Sequence, residues 1–298
     1  MGLSDPCFGK ITLDVFGFFK TDRKAHIGFL SGLYAPSLRN NMNQLHRLTA
    51  IFCCVKGMHY THSQKKYLTR LYILSVLMAV FQAYAQAELN MIRTWFSICL
   101  IIYILDMKEK NPERYKWTLC AYIIYQVFAC IINAILVFQS SAYSETFFIY
   151  LFPALMGSIF ALDGGLVYVT VGLVIYLFQD DKVKLSVSYS LGVAAYTFLM
   201  AYPVIPAVLF RIRQFFPFGD IISDVFTYLL EAIIGIEPMQ MSSDLLHESY
   251  QWMMIFALPF VLLYNEKKGH NLKWFFYIFY PVHIILFWFI SHKVFGLA

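Results

Sequence analysis

Residues 117–138 read Trp-Thr-Leu-Cys-Ala-Tyr-Ile-Ile-Tyr-Gln-Val-Phe-Ala-Cys-Ile-Ile-Asn-Ala-Ile-Leu-Val-Phe, a run without one charged side chain. As a helix it would extend about 33 Å, enough to cross the hydrocarbon core of a bilayer. Lipid offers the backbone no hydrogen-bond partners, so a helix is the expected state. Working outward, Leu68–Tyr84, Met91–Met107, Leu185–Phe210 and Trp274–Ile290 are apolar over similar lengths. Phe147–Leu162, Leu166–Phe178 and Trp252–Tyr264 are shorter, and Asp163-Gly164-Gly165 reads as a tight turn between the first two. A ninth segment, Ile221–Ile236, carries Ser223, Asp224, Thr227 and Glu231 at helical spacing as one polar stripe. It either crosses with that stripe inward or lies in the interface. The expected fold is all-α, a polytopic transmembrane helical bundle of about eight to nine spans.

Composition agrees. Apolar residues make up 59% and charged ones only 14%, too little charge to cover a soluble domain of 298 residues. The net charge of +5 does not form a nucleic-acid-binding face, because Lys and Arg sit in short clusters between apolar runs. If Ile221–Ile236 crosses, Lys65, Lys66, Arg70, the Lys108–Lys116 cluster, Arg211, Arg213, Lys267, Lys268 and Lys273 fall on one side. Arg93, Lys182, Lys184 and Lys293 fall on the other. The larger group is expected in the cytoplasm, with the lipid bilayer of the inner (plasma) membrane as the obligatory partner. The six cysteines have neither zinc nor disulfide-framework spacing, and residues 1–41 lack a secretory signal pattern. Residues 1–47 hold no candidate span and are expected to lie in the cytoplasm or at the interface, leaving 48–298 as one transmembrane domain.

Phosphate-binding glycine loops, nucleophile elbows and metal-binding helix motifs are missing from the sequence. What remains is polar residues where a membrane makes them costly. In Trp274-Phe275-Phe276-Tyr277-Ile278-Phe279-Tyr280-Pro281-Val282-His283, the histidine falls about nine residues into the span. An imidazole there serves either as a general base or as a hydrogen-bonded structural group, and Pro281 either opens the Tyr277 carbonyl or only shapes the helix. The segment Gly57-Met58-His59-Tyr60-Thr61-His62-Ser63-Gln64-Lys65-Lys66-Tyr67-Leu68-Thr69-Arg70-Leu71 is polar and basic and leads into a span. Its lysines fit a solvated anchor, while His59, Thr61 and His62 could face a site at the membrane boundary. Asp224 and Glu231 resemble paired carboxylates, but a stripe toward interior water accounts for them equally well.

Four stretches together resemble the TraX family, bacterial multi-pass proteins related to membrane acyltransferases. They are Gly57–Leu71, Asn90–Tyr103 with Asn90 and Thr94 opening a span, Tyr250–Ile255 with Tyr264–Gly269, and Lys273–His283 ending in Tyr-Pro-x-His. The resemblance covers residue 57 to the C-terminus. It implies acetyl transfer from acetyl-CoA to an amine or hydroxyl, with a pilin-like protein N-terminus or an envelope glycan as acceptor. It also implies His283 and His62 as catalytic candidates. Tyr60, Thr61, Arg70, Asn90, Asn265 and Tyr280 would contact substrate, and Lys65 and Lys66 would meet the coenzyme phosphates; no metal is expected. The family's first helix ends in Asp-His, a dipeptide this sequence does not contain. The alternative is therefore a non-catalytic member, transporter-like or an assembly subunit.

Overall fold

The computed structural model describes residues 36–85, 90–140, 142–236, 238, 245, 250–264 and 273–294, and every regular element among them is helical. Helices α1 (Pro36–Tyr60), α2 (Gln64–Ala85), α3 (Met91–Lys110) and α4 (Pro112–Gln139) follow one another through short turns. Helix α5 runs through Ala142–Thr146, a π turn at Phe147–Leu151 and Phe152–Met156; α6 is Gly165–Leu177, α7 Lys182–Ala201 and α8 Val204–Phe215. Helix α9, Gly219–Leu229, continues as a π turn at Leu230–Ile234. Helix α10 joins a 3₁₀ stretch, Tyr250–Ala257, to Leu258–Leu262, and α11 is Lys273–Val294. Three helices, α2, α4 and α7, are by themselves long and apolar enough to cross a membrane.

Helices α1, α3 and α6 form the centre. Leu48, Ile51 and Met58 of α1 interlock with Ile92 and Ile98 of α3, Ile175 of α6 and Met254 of α10. Helices α2 and α4 flank α3, α7 and α10 cover the other side, and α11 leans on α2. The expected domain boundary at residue 47 falls inside α1, a continuous helix of 25 residues. Residues 1–35 lie outside the described residues. Sequence hydropathy hides α1 because Arg39, Asn40, Asn41, Asn43, His46 and Arg47 crowd its first half.

The ends of the helices can be ranked by their contacts. Gln64 at the start of α2 and Tyr176 near the end of α6 both bond to Asp106 near the end of α3. Lys56 near the end of α1 donates to Gln179 just after α6 (3.3 Å), and Lys182 opening α7 donates to the Leu262 carbonyl closing α10 (3.1 Å). These termini share one end of the bundle, so Lys182 and Lys184 lie with Lys56, Lys65 and Lys66, not opposite them as expected. The reason is that α5 and α6 are each half-length. Tyr72 and Tyr125, both well inside α2 and α4, bond to the Leu155 and Met156 carbonyls where α5 stops. Helices α5 and α6 therefore make one traverse, interrupted midway, in place of the two spans read from sequence.

Two further expectations change. Leu185–Phe210 is not one span, because Tyr202, preceding Pro203, is extended (φ −107°, ψ 132°) and α7 ends at Ala201. Arg211 and Arg213 do not join the lysine-rich end. Arg213 pairs with Asp220 (3.1 Å) and Asp224 (2.5 Å) at the start of α9. Tyr228 further along α9 already packs on Phe138 at the far end of α4 (5.0 Å). Asp224 is thus the partner of a surface arginine rather than part of an inward carboxylate pair.

Candidate functional site

The interrupted traverse supplies the site. Between α5 and α6, residues 157–164 have no helical ladder, and irregular backbone in a bundle interior needs other partners. Side chains of neighbouring helices provide them. Gln126 of α4 donates to the Gly157 carbonyl (3.1 Å) and accepts from the Ile159 N–H (3.0 Å). Arg93 of α3, 3% exposed, donates to the Phe160 carbonyl (2.9 Å), and Thr94 donates to the Asp163 carbonyl (2.8 Å). The Ala161 N–H donates to the Ala232 carbonyl in the π turn of α9 (2.6 Å). Gly165 permits this close approach: its φ is +58°, and a Cβ there would lie 2.2 Å from the Ile234 carbonyl oxygen.

The break presents Asp163 to the interior. Arg47 of α1 donates from Nη1 to Asp163 Oδ1 at 2.8 Å, with the two side chains 20% and 4% exposed. The Tyr168 hydroxyl also bonds to Arg47, and Tyr280 of α11 lies within electrostatic reach of both Arg47 and Asp163. The Tyr280 hydroxyl accepts from the Met91 N–H (3.1 Å), which fixes α11 against the start of α3. Beside it, Asn90 donates from Nδ2 to the Ser75 carbonyl (2.9 Å). Asp163 Oδ2 and Asn90 Oδ1 are buried acceptors without a hydrogen-bond partner among the described residues.

Of the residues singled out from sequence, Tyr280 and Asn90 reach this centre directly. His283 packs edge-on against Tyr280 (5.5 Å between rings) and stacks on Phe279 (4.8 Å). Its Nδ1 is 2.7 Å from the Phe279 carbonyl. A carbonyl only accepts, so Nδ1 carries the proton and Nε2 the lone pair of the neutral ring. The other candidates are elsewhere. Tyr60, Thr61, His62, Lys65 and Lys66 lie at the α1–α2 turn, thirteen or more residues along from Arg47, which is about 20 Å along α1. His62, Lys65 and Lys66 are exposed there. Arg70 bonds to the Tyr277 hydroxyl, one turn of α11 before Tyr280. Asn265 lies outside the described residues. The structure thus separates His62 from His283 and assigns them to different levels of the bundle.

Arg47, Arg93 and Asp163 were not singled out from sequence. In the sequence Arg47 closes a polar stretch with no candidate span, Arg93 reads as a topology charge and Asp163 as a turn residue. The usable signal was chemical: Arg93 is the third residue of an apolar run, where a charge requires an interior partner. No family model, curated protein or solved structure matches the chain.

Proposed function

We propose that the protein is a membrane-bound acyltransferase of the TraX type, transferring an acetyl group from acetyl-CoA to an amine or hydroxyl at the Asp163 break. The observation that carries this reading is that the Tyr-Pro-x-His segment, the most specific part of the resemblance, delivers Tyr280 to the buried Arg47–Asp163 pair and sets His283 against it. Asp163 Oδ2 and Asn90 Oδ1 are buried acceptors without a partner among the described residues, suited to the N–H or O–H of an acceptor group. His283 Nε2 takes the proton as the acceptor nitrogen or oxygen bonds to the acetyl carbon. Arg47 stabilises charge developing on the thioester oxygen. The carbon–sulfur bond then breaks, and the leaving thiolate recovers the proton from the imidazolium. The exposed Lys65 and Lys66 at the lysine-rich end suit the coenzyme phosphates, with a long flexible arm needed to reach about 20 Å inward.

In this reading α1, α2, α3, α4, the joined α5–α6, α7, α10 and α11 make eight crossings of the inner membrane, with the lysine-rich end cytoplasmic. The 3₁₀ stretch helps α10, since its rise of about 2.0 Å per residue lengthens a short segment to about 23 Å. The acceptor is a pilin-like protein N-terminus or an envelope glycan. The second reading, a transporter-like or assembly protein, is favoured by the break itself, because paired half-helices around buried polar groups also build substrate-translocation sites.

Coenzyme-A-dependent labelling separates the two. Purified protein in membranes, given radiolabelled acetyl-CoA and a panel of amines and hydroxyls, should transfer label. His283→Gln, compared at matched folded protein, should lower transfer by roughly 10² to 10⁴. Undiminished transfer by His283→Gln would remove that residue from the mechanism. Transport of a labelled substrate with no acetyl transfer by the parent protein would replace the enzyme with the carrier.

A further inference from the structure

A second feature of the break faces away from Asp163. Helix α4 stands off from α6 and α9, leaving a groove of about 600 Å³. Val127, Ile131 and Phe138 of α4 form one wall, and Ile159 and Phe160 of the break with Ile233 of α9 form the other. The Tyr228 ring lies 5.0 Å from Phe138 and 6.1 Å from Phe160, making an aromatic collar at the far end. Val127, Ile131 and Phe138 are also exposed on the outside of α4, at 56%, 52% and 70%, so the groove opens sideways onto that surface.

The groove has the form of a lipid-chain site. It follows α4 from Tyr122 to Phe138, about 24 Å along the axis of a helix apolar and long enough to cross the bilayer. The medium on its open side is therefore hydrocarbon, and the lining is mostly Ile, Val, Leu and Phe, with Tyr122 and Gln126 as its polar members and the Gln126 amide already bonded to the Gly157 carbonyl and the Ile159 N–H. Simple contact with surrounding lipid does not describe it, because the inner wall is recessed: Ile159 and Ile233 are half-buried and Phe160 is 2% exposed. Tyr228 in that collar is of a residue type that sits at the headgroup boundary. We propose that this groove binds one hydrocarbon chain of a bilayer lipid, seated against the back of the loop whose other side presents Asp163. The affinity comes from packing, since moving a chain from lipid into an apolar groove gains nothing from the hydrophobic effect.

The test uses the full-length protein in nanodiscs of phosphatidylethanolamine containing the same lipid with a diazirine near the end of one chain. After illumination, adducts are mapped by mass spectrometry. Ile159 and Ile233, the half-buried residues of the inner wall, should be labelled several-fold above Val187 and Leu191, which are exposed apolar residues on α7. Ile131→Trp fills the groove from an exposed position, and adducts on the inner wall should fall about tenfold, equivalent to about 1.4 kcal/mol, while α7 labelling stays constant. Ile135→Trp provides the same obstruction should Ile131→Trp fail to give monodisperse protein. Inner-wall labelling no greater than that of α7, or unchanged by the tryptophans, overturns the proposal. Acetyl transfer plays no part in this readout, so loss of the enzyme reading leaves the lipid site standing, and the reverse also holds.

Discussion

Replacing Asp163 by Asn leaves the Arg47 guanidinium inside the bundle without its counter-ion. At the observed 2.8 Å, and with an effective dielectric of about 20, the direct attraction is about 6 kcal/mol. Desolvation of two groups only 20% and 4% exposed cancels most of that in the intact pair. Removing one member has no such cancellation and should cost about 3–5 kcal/mol. Because arginine does not lose its proton in proteins, Asp163→Asn has no chemical escape. Arg47→Met does: the orphaned carboxyl can take up a proton and sit in the interior as a neutral acid. A proton held in the fold and released by the unfolded chain makes stability fall as pH rises, so Arg47→Met is most stable at the acidic end. Melting in detergent, followed by size-exclusion chromatography after heating, should show Asp163→Asn lowered by roughly 10 °C at about 2–4 °C per kcal/mol. Arg47→Met should be closest to the parent at the acidic end of the range. The double variant Arg47→Met/Asp163→Leu, which replaces both charges by apolar groups, should melt well above the sum of the two single losses. A parent-like Asp163→Asn, or simple additivity in the double variant, would refute the argument that these two charges are coupled inside the bundle.

Topology offers a second test. Cysteines at Asn111 and Lys184 should both resist a membrane-impermeant thiol reagent in intact cells, while one at exposed Gln214 should react; reaction of Lys184→Cys alone would restore two separate spans in place of α5–α6. Gln126→Leu removes two hydrogen bonds from the break and should cost roughly 2–4 kcal/mol, read as a lower melting temperature, whereas Tyr122→Phe nearby should cost less. Gly165→Ala should prevent α9 from docking, with loss of monodisperse protein, because its Cβ has no room beside the Ile234 carbonyl. At the start of α7, the Asp181 carboxylate accepts from the Val183 and Lys184 N–H groups, and its bonds to Lys184 hold it below the usual carboxylate range. Its contribution is therefore present above the unfolded-state value and is lost as pH falls through the folded one. Asp181→Asn should flatten that acid dependence of melting, and an unchanged pH profile would show that the cap contributes nothing.

The helical membrane class is legible in the amino-acid order, since a bilayer leaves an uncharged run such as 117–138 no alternative to an internally bonded helix. That order also marks the Asp163 turn and the Tyr280–His283 segment, through local chemistry at Asp163-Gly164-Gly165 and Tyr-Pro-x-His. That α5 and α6 form one broken traverse emerges from long-range packing, because hydropathy measures apolar length and not whether two half-helices continue in one direction. The same packing puts Lys182 and Lys184 at the lysine-rich end. It also decided which charges are interior. Arg47 reads as solvated beside Asn43 and His46, and becomes part of the core only when Asp163, 116 residues away, meets it at 2.8 Å. A burial of that kind depends on a partner supplied by long-range folding, and neither residue's neighbours in the chain carry any record of it.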